Sequence, residues 1–78
     1  MSALDYQRLA VLGDKVRQGH ASKEEKDEYM LLLYRNGSIT NQQYNDYIAG
    51  KNAEAILNAA MAVGAVLLIG YLLKALFK

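Results

Sequence analysis

AILNAAMAVGAVLLIGYLL, running from Ala55 to Leu73, decides the fold. Nineteen residues pass without a charged side chain, and Asn58 is their one strongly polar member. As a helix rising 1.5 Å per residue, the run spans roughly 28 Å, close to the ~30 Å hydrocarbon core of a bilayer. Lys74 follows it and can carry its ammonium group to the head-group level, while Tyr71 and Phe77 suit the membrane interface as aromatic anchors. The rest of the chain is too small to wrap a helix that is apolar on every side. The run therefore reads as a C-terminal transmembrane helix over residues 52–78. The opening MSALDYQRLA lacks the basic-then-apolar order of a signal peptide, so the apolar run is expected to stay on the mature chain.

Upstream of the run the composition changes sharply. Most of the charge of this 78-residue chain lies before Ala55, and the whole carries a formal net charge of +1. No basic surplus exists to neutralise phosphates, so nucleic acid is not an expected partner. Cysteine and proline are both absent. Disulfides and thiolate chemistry are thereby excluded, and the strongest helix breaker is missing.

Helix punctuation divides this soluble part. Ser2 with Asp5 opens a first helix that Gly19 closes, and Ser22 with Glu25 has the capping-box spacing for a second, closed by Gly37. Thr40 with Gln43 repeats that spacing for a third, short helix ended by Gly50, after which Asn52 caps the apolar helix with Glu54 in its first turn. The predicted helices cover about 2–18, 22–36 and 40–49. Leu9, Leu12 and Val16 share a face of the first, Met30, Leu33 and Tyr34 a stripe of the second, and Tyr44, Tyr47 and Ile48 a face of the third. The expected architecture is all-α: a helical hairpin or three-helix module over residues 1–51, followed by one transmembrane helix.

One pattern occurs twice. Residues 17–30 and 35–48 share Arg two places before Gly, a hydroxyl residue at Gly+3, Glu or Gln at Gly+6 and Tyr at Gly+10. Its physical content is a helix stop, a turn and a capped restart, used twice. Setting Gly37 at position 6 of a calcium loop would put Leu32, Tyr34 and Gln43 at ligand positions, so calcium is rejected. The charged run SKEEKDEY reads as a solvated face with pairs such as Lys23–Asp27. His20 has no clustered ligand or base partner. Nothing in the sequence assembles a nucleophile with a base, a metal site, a phosphate loop or a cofactor pocket, so no catalytic, metal or cofactor residue is assigned and the chain reads as a non-enzyme.

The stretch YMLLLYRNGSITNQQYNDYIAGK, through its residues Leu32, Leu33, Gly37, Ile39, Thr40, Tyr44 and Lys51, resembles the short SHOCT-type helical-hairpin module over residues 30–51. The family usually has an acidic pair after the Thr, where Gln42 and Gln43 stand here, and its module usually follows any membrane span. The resemblance implies oligomerisation or protein docking, with no catalysis.

Two surfaces are expected to carry function. In the span, Ala60 and Gly64 form a small-xxx-small pair for lateral helix packing, with Asn58 able to hydrogen-bond across it. In the module, Ile39, Tyr44, Tyr47 and Ile48 form a docking surface. The leading expectation is a single-pass membrane protein acting in assembly, through homo-oligomers or a larger protein partner. A minor membrane protein of a virion would fit, with the N-terminal module on the cytoplasmic or interior side. Two alternatives share these features: a holin-like or toxin-like membrane perturber, and a soluble helical oligomer or regulator with its last helix buried.

Overall fold

Local capping sets the elements. In the computed structural model, which describes residues 3–76, four helices follow one another: α1 Ala3–Gln18, α2 Lys23–Arg35, α3 Asn41–Ile48 and α4 Ala53–Leu76. The Ser2 cap, Phe77 and Lys78 fall outside the described residues. Ser22 and Thr40 both close full capping boxes. Each hydroxyl accepts from the backbone N–H three residues on, and the Glu25 or Gln43 side chain accepts in return from the cap's own N–H. Asn52 differs from these caps. It precedes α4 with φ 51°, in left-handed rather than extended backbone, and its carbonyl accepts from the Ile56 N–H at 3.0 Å.

The three stops share one geometry. After α2, the Ser38 N–H reaches back to the Leu33 carbonyl at 2.9 Å and Gly37 takes φ 76°, the left-handed step that such a closure requires. The same six-residue bond ends α1 (His20 to Lys15, 2.9 Å) and α3 (Lys51 to Asp46, 2.8 Å). The repeated sequence pattern is thus a repeated corner. Its two Gly+10 tyrosines, Tyr29 and Tyr47, are both buried.

One core serves all four helices. Leu9 and Leu12 of α1, Tyr29, Met30, Leu32 and Leu33 of α2, Ile39 of the turn, Tyr47 of α3, and Leu57 and Ala60 of α4 pack together. Two ion pairs tie α1 to α2: Arg8 grips Glu28 with two bonds at 2.7 and 2.9 Å, and Lys15 meets Glu25 at 2.5 Å. Helix α4 is about 36 Å long by its rise per residue, against a longest molecular dimension of 41 Å. Its N-terminal half is part of the core, so residue 52 marks a turn and not an edge of the packing.

Candidate assembly face on helix α4

Helix α4 has two unlike sides. The inner side presents Leu57, Ala60 and Gly64, all buried, with Ile56, Met61, Leu67 and Leu68 partly covered beside them. Helix α1 runs antiparallel along it. At one end Val16 and Arg17 share a groove with Leu57, Asn58 and Met61, and at the other the rings of Tyr6 and Tyr71 stack at 4.4 Å with planes 7° apart.

At the middle of this contact, Tyr29 of α2 lies between two glycines. A Cβ added at Gly13 of α1 would meet the ring at 3.3 Å. One added at Gly64 would stand 3.0 Å from Cζ and well inside contact distance of the hydroxyl. Tyr29 is 2 % exposed, and burial raises its hydroxyl above the usual tyrosine range. Gly64 is therefore a seat for an aromatic ring from the same chain. Ala60, one turn earlier, is equally enclosed. The small-residue pair expected to face another helix faces its own fold.

The outer side is uncovered. Only 17 % of the most apolar 18-residue window of α4 is buried, and Val66, Ile69, Leu72, Leu73 and Leu76 are exposed large apolar residues. A shallow apolar groove lined by Ala62, Val63, Val66 and Leu67 lies on this side. Among the described residues, α4 is the one helix long and apolar enough to cross a membrane. Lys74 and Asn58 are exposed near its two ends.

The expected docking surface of the module is also mostly internal. Ile39 and Tyr47 belong to the core, and Tyr44 stacks on Tyr34 at 4.5 Å with planes 2° apart, while the Tyr34 hydroxyl donates to Asn41. Of the four, Ile48 is the exposed one. The Tyr47 hydroxyl donates to Asp27 at 3.0 Å, and burial, reinforced by that carboxylate, pushes the phenol well above its ordinary range. Asp27 is in turn held below the usual carboxylate range, first by the Lys23 ammonium at 2.8 Å and also by Tyr47.

The run SKEEKDEY thus does more than face solvent. It carries the Lys23–Asp27 pair, and its Glu25, Asp27 and Glu28 also tie α2 to α1 and α3. The available signal was Arg8 and Lys15, two turns apart on one helix, matched by Glu28 and Glu25, one turn apart on the next. Comparison with protein-family models, with known proteins and with solved structures gives no match.

Proposed function

We propose that this protein is a non-enzymatic assembly component held at a membrane by α4, with its helical corners presenting a small module at the bilayer surface. The observation that supports this most is the uncovered outer side of α4: a 24-residue helix that the chain leaves largely unsheltered. In water such a surface is costly at about 25 cal/mol per Å² of apolar area, so it is a surface built to be covered. The resemblance of residues 30–51 to a docking and oligomerisation hairpin points the same way. The test is fractionation. The full-length chain should stay in the pellet after alkaline carbonate extraction and enter the detergent phase on Triton X-114 separation, and recovery in the aqueous phase would refute the membrane assignment.

One observation favours a second reading, a soluble oligomer with α4 at its centre. Helix α1 lies along α4 as far as Tyr71 while carrying Arg8, Asp14, Lys15 and Arg17. A charged side chain at the centre of a bilayer costs at least about 2.5–3.5 kcal/mol. In that reading the aqueous fraction contains a discrete oligomer.

A further inference from the structure

The uncovered side of α4 has an internal order. Ala55, Ala59, Ala62, Val66, Ile69, Leu73 and Leu76 follow one another at alternating steps of four and three, and all seven are exposed. At 3.6 residues per turn they form one stripe, roughly 180° round the helix from Leu57, Ala60 and Gly64. This is the spacing of a helix–helix seam. The seam is graded, small at its N-terminal end and large at its C-terminal end.

We propose that a second copy of this chain packs antiparallel on this stripe. The self-association invoked above is the reading on which this inference rests, and the structure supplies the face, the partner and the direction. In an antiparallel pair the two classes of seam position face each other. The register that pairs six of the seven, all but Ala55, sets Ala59 against the partner's Leu76, Ala62 against Leu73 and Val66 against Ile69. Each layer then joins a smaller residue to a larger one, and the spacing between the helices stays even. A parallel pair would set Ala on Ala at one end and Leu on Leu at the other, forcing the helices to splay or leave voids. The two-fold axis passes between Val66 and Ile69, beside the groove formed by Ala62, Val63, Val66 and Leu67. Such a contact is isologous and closes at two copies.

Three further features suit the same occupant. The bulk of each module lies on the opposite side of its α4, so neither obstructs the other. Antiparallel pairing brings the acidic first turn, with Glu54, to the end that carries the partner's Lys74, and opposes the helix dipoles. With Val66, Ile69, Leu73 and Leu76 exposed at 69, 58, 48 and 78 %, the stripe offers roughly 600 Å² per copy, the lower end of what stable interfaces bury. Within a bilayer the same pair needs the two copies inserted from opposite faces. The flanking cations, Arg35 and Lys51 on one side and Lys74 and Lys78 on the other, impose little bias against that.

The absence of native cysteine makes a direct test clean. Ala62→Cys and Leu73→Cys chains carrying different tags are expressed separately and together, then treated with a short bifunctional thiol reagent in membranes and in the aqueous fraction. Both positions are exposed in the monomer. The mixed 62–73 product should exceed either self-linked product by on the order of 10-fold or more, because paired thiols sit at millimolar effective concentration. Like positions would stand about 16 Å apart along the axis, out of reach.

Self-linked 62–62 and 73–73 products in place of the mixed one would overturn the antiparallel arrangement. No cross-link, with the chain at a single monomeric mass, would overturn the pairing while leaving a membrane-pelleting chain as an anchor. The mixed product found in the aqueous fraction would uphold the pairing and remove the membrane assignment.

Discussion

Replacing Gly64 by Ala should weaken the fold, and removing one hydroxyl elsewhere should relieve most of the damage. The new methyl group would stand 3.0 Å from Cζ of Tyr29 and collide with its hydroxyl, on a ring so enclosed that a Cβ added at Gly13 would also come within 3.3 Å of it. The ring has little room to retreat. Overpacking costs about 1–3 kcal/mol, and so close a contact on an enclosed ring belongs to the upper part, about 2–3 kcal/mol, partly offset by the ~1 kcal/mol that Ala gains over Gly inside a helix. The net loss should be about 1–2 kcal/mol, which lowers the melting temperature of so small a chain by roughly 5–15 °C.

In a Tyr29→Phe background the hydroxyl, the worse of the two collisions, is gone and only the close approach to Cζ remains. There Gly64→Ala should be near neutral, giving a coupling of about 1–2 kcal/mol between the two changes. Gly70 supplies the control, since nothing stands within 4 Å of a Cβ added there; Gly70→Ala should stabilise by up to ~1 kcal/mol through propensity alone. The assay is thermal and denaturant unfolding of the full chain in mild detergent, followed by far-ultraviolet circular dichroism. If Gly64→Ala and Tyr29→Phe are additive to within ~0.5 kcal/mol, the ring is not seated on Gly64 and the packing of α2 on α4 is wrong.

Other expectations are more direct. Glu25 is held at about 2, against an ordinary value of 4.5, chiefly by its bond from Lys15 and then by the Ser22 backbone N–H. A carboxylate lowered in the folded state contributes stability that is complete above about 4.5 and fades as the pH falls toward about 2. An acid titration of the unfolding midpoint should therefore decline across that window, and Glu25→Gln should start lower at neutral pH and flatten the decline. Ser22→Ala and Thr40→Ala should each destabilise by about 1 kcal/mol in the same unfolding assay, since each removes a closed capping box. Val66→Asp should abolish the cross-linked pair while leaving the helical content of the monomer unchanged, measured by circular dichroism beside cross-linking. A Tyr6→Cys, Tyr71→Cys chain, once joined by a bifunctional thiol reagent, should shift from the detergent phase toward the aqueous phase, because α1 can then no longer leave α4.

What could be read from the residues divides along the range of the interactions. Ser22 with Glu25 and Thr40 with Gln43 bond within three residues, so spacing alone placed both starts, and the glycine stops lie just beyond the helices they end. Leu9, Leu12, Met30 and Leu33 could be assigned to apolar faces because polar residues mark the other side of those helices. No such contrast exists along α4. Its apolar residues run all round, so nothing in the sequence says which side the other helices cover. Ala60 and Gly64 were available as an outward pair and instead receive Tyr29, whose approach depends on a contact 35 residues away in the chain. Tyr44 and Tyr47 show the same limit. An aromatic face on an eight-residue helix looks like a docking surface until the neighbouring helices are in place, and here α2 covers it.

The stack of Tyr6 on Tyr71 sets a condition on any journey into lipid. While it holds, α1 sheathes one side of the greasiest segment along most of its length, and the chain can travel through water with that side shielded. Crossing a bilayer would require the sheath to lift first, carrying Arg8 and Lys15 away from α4 together with the carboxylates they grip. Insertion would then be gated by the fold rather than set by hydropathy alone, and its rate should follow the strength of a contact at the far tip of the helix.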